Sequence, residues 1–245
     1  MIDGTDNFLI NNLSILEKTK GILQILWMLK RMRKRTNFKL KELSDNLVGN
    51  PYTYNIFGNH ITECSIRNYY YMRLIESIFP ENSSINVLEI GGGFGSLCRN
   101  LMMSNKINVQ NLYFIDLPES MMLAYYYLNN SGIDTIVFNR KNISNTKKVV
   151  ICPPWLLKYV KNKFDLVINT MSFQHMSIEN LIFYFSQINR LNIDKIFLVN
   201  RNIEHDKSDI RADNYPIDKS YKLTKESLYP FSVTHNYLER LYTKK

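Results

Sequence analysis

The stretch Val87-Leu88-Glu89-Ile90-Gly91-Gly92-Gly93-Phe94-Gly95 decides how the rest of the chain is interpreted. It closes an apolar run and then places four glycines within five positions. Glycine permits positive φ angles and a close approach of the backbone to a ligand, so the pattern predicts a buried strand that turns sharply into a helix. Glu89 stands near the carboxyl end of that strand, where it would face a ligand bound at the turn.

The spacing of the glycines discriminates among the known kinds of nucleotide site. A phosphate-binding P-loop ends in Gly-Lys-Ser or Gly-Lys-Thr, whereas Ser96 and Leu97 follow the last glycine here, so the P-loop is excluded. A dinucleotide fingerprint requires glycine or alanine at position 96, which weakens this alternative without excluding it. An acidic residue followed by alternating glycines is typical of class I methyltransferases, whose S-adenosylmethionine carries cationic groups that tolerate a carboxylate. In this chain the order is Glu89, Gly91, Gly93 and Gly95.

A second acidic residue follows at the spacing that a nucleoside site requires. The predicted strand 112–116 ends in Asp116, about 20 residues beyond the glycines, where a carboxylate can accept hydrogen bonds from both hydroxyls of a ribose. Capping of the next helix is the alternative role for Asp116. Leu117 opens that helix and is predicted to contact the cofactor, as is Gly92 in the glycine turn.

From residue 84 onward, short apolar runs alternate with amphipathic segments of helical length. This alternation indicates an α/β fold with a mostly parallel sheet and helices on both faces. We therefore predict a Rossmann-like class I methyltransferase fold with a seven-stranded sheet over residues 81–245. Segments 135–138 and 149–152 compete for one sheet position, and the mixed, polar tail after Arg201 would supply the closing strands.

Residues 1–80 are predicted to form a helical N-terminal extension. Residues 8–35 have apolar side chains at helical spacing and end in the basic run Lys30-Arg31-Met32-Arg33-Lys34-Arg35. This helix either packs on its own domain with a solvated basic end or lies on a membrane surface. Residues 50–60 are loop-like and offer Tyr54 as an aromatic contact for a substrate, and a second helix is predicted over 62–79.

Composition limits the partners and the location that we expect. The net charge of +9 would suit a nucleic acid, but the basic residues are scattered, and we expect no nucleic-acid partner. The three cysteines are far apart and outside any Cys-x-x-Cys spacing, so neither a disulfide framework nor a metal site is indicated. No signal peptide or membrane-spanning run is evident, which predicts a cytoplasmic protein. Peripheral membrane contact and homo-oligomers stay open.

Four stretches together resemble a specific bacterial family, the sugar O-methyltransferases. They are the glycine turn at 87–95, Tyr-Phe-Ile-Asp-Leu-Pro-Glu at 113–119, residues 164–176 with Met-Ser-Phe-Gln-His-Met at their end, and Val-Asn-Arg at 199–201. The resemblance implies S-adenosylmethionine as the methyl donor and a hydroxyl of a sugar or sugar-containing metabolite as the acceptor. One position departs from the family, in which an acidic residue is common where His175 stands.

A sugar hydroxyl is a poor nucleophile near neutral pH, so a positioned histidine base would help. His175 and His205 are the candidates, because each follows a predicted strand at the carboxyl edge of the sheet, although either could be an exposed loop residue. Asn169 and Pro153 are predicted to contact the cofactor. Asn200 and Arg201 are predicted to contact the acceptor, with a strand cap and a surface ion pair as the alternative roles for Asn169 and Arg201.

Two further functions stay open at this point. A methyltransferase acting on RNA or another small molecule would account for the positive charge and for the basic run at 30–35. A methyltransferase-like fold that only binds a ligand, without catalysis, is the non-enzymatic alternative. The glycine turn together with Glu89 and Asp116 argues against it.

Overall fold

The structure of the chain, a computed structural model, describes residues 14–139, 148–203, 210–234 and 236–245. The chain divides into two compact units, Met1–Ser77 and Ile78–Lys245. The sequence predicts the boundary a few residues later, at residue 80. Among the described residues, no helix combines the length and the apolar character that crossing a membrane requires.

The N-terminal unit begins with helix α1, Ile15–Arg33, whose start is fixed by Ser14. The backbone N–H of Ser14 donates to the Glu17 carboxylate at 2.8 Å, and the N–H of Glu17 donates to the Ser14 hydroxyl at 3.3 Å. This capping box satisfies N–H groups that the first turn of a helix leaves without partners. The buried side of α1 consists of Ile25, Met28, Leu29 and Met32.

A β-hairpin follows where the sequence predicts a loop over 50–60. Strands β1 (Tyr54–Ile56) and β2 (Asn59–Ile61) pair antiparallel around Phe57 and Gly58, which have φ angles of 48° and 78°. Two consecutive positive φ angles match the turn that suits the twist of paired strands. The prediction was wrong because strands of three residues show no period-2 pattern. Helix α2, Glu63–Glu76, completes the unit.

The C-terminal unit is a single eight-stranded sheet with helices packed on it. Its strands are β3 (Ser84–Ile90), β4 (Asn108–Ile115), β5 (Thr135–Val137), β6 (Lys148–Cys152), β7 (Leu166–Thr170), β8 (Lys195–Arg201), β9 (Tyr221–Leu228) and β10 (Tyr237–Lys244). The helices are α3 (Ser96–Met102), α4 (Pro118–Asn130) and α5 (Ile178–Arg190). The strand order is β5-β6-β4-β3-β7-β8-β10-β9, and every pairing is parallel except those of β10.

The sheet has one strand more than the sequence predicts. The two segments that compete for one position in the sequence both join the sheet, since β5 pairs parallel with β6 at its outer edge. The polar tail supplies β9 and β10, as predicted. Most residues of the central strands are buried, as is typical of a parallel sheet with helices on both faces.

The order of the central strands places a crevice at one edge of the sheet. The chain passes from β3 to β4 on one side and later returns to β7 on the other side of β3. Helices that leave neighbouring strands in opposite directions open a crevice outside the carboxyl ends of these strands, where ligands bind in open α/β sheets. The glycine turn, Asp116 and the segment after β7 all lie at this edge.

A buried arginine links the last two strands to the segment that follows β8. Arg240 in β10 donates from Nε to Glu226 of β9 at 2.7 Å and from its terminal nitrogen to Asp213. Asp213 also exchanges hydrogen bonds with Asn202, just after β8. The hydrogen bond from Arg240 is the main cause that lowers the pKa of Asp213 below its ordinary value.

Replacing Asp213 by asparagine should lower the stability of the fold at neutral pH and should make that stability less dependent on pH in acid. Because the pKa of Asp213 is lower in the folded state, its contribution is present above the unfolded value of about 3.9 and is lost as pH falls through the folded value. We expect Asp213→Asn to lower the free energy of unfolding by about 1 kcal/mol at pH 7, allowing for its partial exposure. The difference should shrink below about pH 3.

Urea denaturation, followed by circular dichroism, measures the free energy of unfolding at pH 7 and below about pH 3. Glu81→Gln is the matched control, because Glu81 forms an exposed ion pair with Lys106 at 3.5 Å. Such a pair contributes about 0–1 kcal/mol. A loss for Asp213→Asn that is no larger than the control's, or that is the same at both pH values, would contradict this account of the Arg240 contacts.

Candidate active site

Neighbouring side chains pack so closely against one side of the glycine turn that two of its positions exclude any side chain. Gly91 has a φ of 73°, and a Cβ there would lie 1.9 Å from the Ser172 hydroxyl oxygen. A Cβ on Gly92 would lie 2.4 Å from the Phe114 ring and 2.8 Å from the Glu89 carboxyl carbon. Side chains of three neighbouring strands or the loops that follow them therefore support the turn, and only glycine fits.

The other side of the turn is open. A Cβ on Gly93 would meet nothing within 4 Å, and Gly95, with a φ of 90°, is the N-cap of α3. The first N–H groups of a helix have no partner within the helix and attract electronegative ligand atoms. The four predicted glycines thus form a backbone surface on which a ligand can lie.

Asp116 ties the glycine turn to the end of β4. The N–H of Gly93 donates to one carboxylate oxygen at 2.8 Å, and the N–H of Leu117 donates to the other at 2.7 Å. Leu117, rather than Asp116, is the N-cap residue of α4. Each oxygen of Asp116 keeps a lone pair for a further hydrogen bond. The geometry therefore suits a pair of adjacent hydroxyls, such as those of a ribose.

Glu89 is a buried carboxyl group with no hydrogen-bond partner in the described part of the chain. Its residue is only 2% exposed, and neither oxygen of its side chain is paired. Burial, and to a smaller extent the charge of Asp116, raises the pKa of Glu89 to about 8. An unpaired buried carboxyl is costly for the fold. A ligand that carries a positive charge would supply the missing partner.

Leu117 and Pro153 lie at the ends of neighbouring parallel strands. Leu117 is 61% exposed after β4, and the buried Pro153 follows β6. A largely exposed leucine beside the polar edge offers apolar surface to a flat ring. The structure therefore brings Glu89, the glycines, Asp116, Leu117 and Pro153 to one edge of the sheet, and their contact with a cofactor stays a prediction.

Asn169 joins the ends of three strands through its amide. Its nitrogen donates to the carbonyl of Ile90 at 2.8 Å and to the Ser172 hydroxyl. Its oxygen accepts from the backbone of Phe173 at 3.1 Å and from the amide of Asn200 at 2.9 Å. These bonds occupy the amide with protein groups, as the strand-cap alternative describes, and its contact with a cofactor stays a prediction.

Asn200 and the backbone of Met171 add polar and strained features beside Asn169. Asn200 is fully buried, and its side-chain oxygen has no partner among the described residues. Met171 has a φ of 61°, which is unusual for a residue with a side chain. Backbone strain of this kind concentrates at functional sites.

Gln174 is a buried residue that orients His175. The backbone N–H of Arg201 donates to the side-chain oxygen of Gln174 at 2.9 Å, which identifies the two ends of the amide. The amide nitrogen of Gln174 then lies 3.2 Å from Nε2 of His175 and 3.4 Å from the Tyr237 hydroxyl. Since an amide nitrogen only donates, Nε2 of the neutral imidazole accepts and the ring proton resides on Nδ1.

The remaining predicted site residues are distributed as follows. His175 is exposed in a short 3-10 helix after β7, and Arg201 ends β8. His205 lies outside the described residues. Tyr54 belongs to the N-terminal unit, where its hydroxyl is so close to α1 that a Cβ on Gly21 would approach it to 1.8 Å. No group of three potential metal ligands occurs in the described part of the chain.

The sequence interpretation missed three residues of this edge, namely Ser172, Gln174 and Tyr237. Ser172 and Gln174 belong to the Ser-Phe-Gln motif, so the motif itself was the available signal. Tyr237 begins β10 and approaches Gln174 only through the antiparallel pairing of β10 with β8. Nothing in the polar tail indicates that contact.

Comparisons with known proteins identify the fold. No family model matches the sequence, and no curated protein sequence matches it significantly. A Galdieria sulphuraria protein assigned as a sarcosine dimethylglycine methyltransferase superposes with a TM-score of 0.56 at 12% identity, over 91% of this chain and 98% of that one. The chain has the Rossmann-like class I methyltransferase fold.

Two further solved structures are similar at lower scores. One concerns the conversion of a disulfide bond into a thioacetal group during echinomycin biosynthesis, with a TM-score of 0.50, 12% identity, and 71% and 80% of the two chains covered. The other is TrmK from M. capricolum with S-adenosylhomocysteine, with a TM-score of 0.47, 16% identity, and 71% and 68% of the two chains covered. At these identities the similarity extends to the fold alone.

Substituting Gly91 tests the packing beneath the turn. Gly91→Ala and Gly132→Ala introduce the same methyl group at similar φ angles, 73° and 76°, but only the first meets other atoms within 4 Å. Both variants should carry the cost of a left-handed residue, and Gly91→Ala should lose a further 1–3 kcal/mol, roughly, from the clash with Ser172. Chemical denaturation measures the difference, and equal losses would contradict the packing.

Substituting Glu89 tests whether the site sacrifices stability for binding. The pKa of Glu89 is higher in the folded state, so the folded protein holds a proton that the unfolded protein releases, and stability falls as pH rises from about 4 to 8. Glu89→Gln should remove this loss. We expect the variant to be more stable than the unsubstituted protein at pH 8. The difference in the free energy of unfolding between the two proteins should be about 2–4 kcal/mol larger at pH 8 than at pH 5. An identical difference at both pH values would contradict the raised pKa.

Proposed function

We propose that the chain is an S-adenosylmethionine-dependent O-methyltransferase that acts on a hydroxyl of a sugar or a sugar-containing metabolite. The observation that carries the proposal is the buried, unpaired carboxyl of Glu89 beside an open glycine turn and Asp116. This donor set suits a nucleoside that has a ribose and a cationic side chain. The class I methyltransferase fold supports the same assignment.

Different residues at the carboxyl edge of the sheet would contact different groups of the cofactor. Glu89 would face its cationic end, and the two oxygens of Asp116 would accept from the ribose hydroxyls. Leu117 and Pro153 would contact the adenine, with the glycine backbone beneath the ligand. When bound, S-adenosylmethionine supplies a methyl group on a cationic sulfur. A suitably aligned oxygen can displace that sulfur from the methyl carbon.

The residues after β7 and β8 would receive the acceptor. The side-chain oxygen of Asn200 is buried and free to accept a hydrogen bond from a hydroxyl. Arg201 stands next to it and would contact a charged substituent of the acceptor. Amide groups both donate and accept hydrogen bonds, and therefore suit a polyhydroxylated molecule. The contact of Tyr54 with the acceptor stays a prediction from the sequence.

His175 is the base that we propose for removing the hydroxyl proton. It is exposed at the correct edge of the sheet, and its neutral form has a single lone pair, on Nε2. That lone pair is held by Gln174, so the imidazole must turn away from Gln174 before Nε2 can take a proton. His205 is the second candidate.

An RNA acceptor is the alternative that the net charge of +9 favours. The sugar assignment is preferred because the Ser-Phe-Gln and Ile-Asp-Leu-Pro-Glu motifs resemble the sugar O-methyltransferases, and because the buried amide of Asn200 lies beside Asn169. Binding of RNA would show a steep dependence on salt, whereas binding of a neutral sugar would not.

Transfer of a labelled methyl group tests the proposal. The purified full chain should methylate one class among nucleotide sugars and free glycans, and His175→Asn should lower kcat by about 10²–10⁴-fold without weakening cofactor binding. His60→Asn, at another exposed histidine, should have no effect. Methylation of RNA instead would reject the sugar assignment, and cofactor binding without transfer to any acceptor would reject the enzyme.

A further inference from the structure

Residues 15–26 of α1 expose an apolar stripe that no other part of the described chain covers. At about 100° per residue, Ile15, Ile22 and Leu26 lie along one line of the helix, and Leu16 and Leu23 lie along the adjacent line. All five are exposed, and Leu23 has 61% of its surface accessible. The buried side chains of α1 point in a different direction. The apolar residues of α1 are thus of two kinds, a buried set of Ile25, Met28, Leu29 and Met32 and the exposed stripe beside it.

Positive charges surround this stripe. Lys18 and Lys20 flank it on its two sides, and Lys30, Arg33 and Lys34 follow it on the same side at the end of the helix. Glu17 is the sole acidic residue of α1 and lies away from the stripe, with its carboxylate bonded to Ser14. An apolar stripe with basic flanks is the pattern of helices that lie in the plane of a membrane surface.

The helix needs no partner to form. Its capping box fixes the first turn, and basic residues in its last turn complement the helix dipole. Ile25, Met28 and Met32 are buried away from the stripe, and the helix contacts α2. A preformed helix that exposes its stripe loses little conformational entropy when it binds a surface.

We propose that the exposed side of α1 binds a lipid bilayer that contains anionic headgroups. The leucines and isoleucines would enter the boundary between headgroups and acyl chains, while the lysines and Arg33 would contact the negative headgroups. This location would bring the chain to acceptors that are held at a membrane. It is independent of the chemistry at the carboxyl edge of the sheet.

The charge of this face favours an anionic bilayer over a second copy of the chain or an RNA as its binding partner. A second copy of the same face would bring two sets of lysines and arginines together, and like charges facing each other across an interface are unfavourable. An RNA would satisfy the cations but would leave Ile15, Ile22 and Leu26 without apolar contact. An anionic bilayer offers a complement to both the charge and the apolar surface.

Sedimentation of the full chain with vesicles tests the proposal. We expect binding to vesicles of phosphatidylcholine and phosphatidylglycerol in equal parts, little binding to pure phosphatidylcholine, and weaker binding as salt is added. Leu23→Glu should weaken binding by at least about tenfold, because it removes a leucine that the bilayer would bury and adds a negative charge. Leu123→Glu is the matched control, since Leu123 is a similarly exposed helical leucine in α4. Lys18→Gln combined with Lys20→Gln should weaken binding to the anionic vesicles alone.

Four results would overturn the proposal. One is the absence of vesicle binding at low salt by the folded protein, and another is an equal effect of Leu23→Glu and Leu123→Glu. The third is self-association in solution that Leu23→Glu abolishes, which would assign the stripe to a second copy. Circular dichroism of the variants confirms that the fold persists. Binding of an unstructured RNA without vesicle binding would assign the cations to nucleic acid and would also reject the proposal.

Discussion

The amide of Asn169 donates to Ile90 at the end of β3 and accepts from Asn200 at the end of β8, so one side chain holds three neighbouring strands in register at their carboxyl ends. The same amide bonds Ser172, which packs directly beneath Gly91. The shape of the glycine turn therefore depends on a residue nearly 80 positions away in the chain. Removing these bonds would free the turn and the acceptor edge together.

The acidic groups at the carboxyl edge of the sheet destabilise the fold. Glu89 is buried without a partner, and the neighbouring charge of Asp116 raises the pKa of Glu89 further. A protein selected for stability alone would have an apolar residue at this position. The retained carboxyl is understandable if a cation occupies the site, and functional sites commonly keep such destabilising groups.

The features that were predictable from the sequence are those that depend on local patterns. The strand, turn and helix around Gly91 follow from glycine chemistry, and the parallel sheet follows from the alternation of apolar runs with amphipathic segments. The hairpin at β1 and β2 was missed because Phe57, with its positive φ, is not a typical turn residue. Strand β9 is an edge strand with most side chains exposed, so it lacks an apolar pattern.

The parts of the site that the sequence could not reveal come from contacts between distant segments. Gln174 and His175 are adjacent, yet their orientation depends on the backbone of Arg201 in β8 and on Tyr237 in β10. Likewise, nothing in the sequence shows that Glu89 lacks a partner, because pairing depends on every neighbour in space. Residue identity indicated the chemistry, and the folded contacts determine how each group is used.

Calorimetric titration with S-adenosylmethionine and S-adenosylhomocysteine, repeated in buffers of different protonation enthalpy, tests the central claim most directly. The account predicts micromolar binding that Asp116→Ala abolishes. It also predicts that binding near pH 7 releases a proton from Glu89, because a cation favours the ionised carboxylate, and that Glu89→Gln binds without this release. Absence of binding by either compound, or binding that Asp116→Ala leaves unchanged, would contradict it.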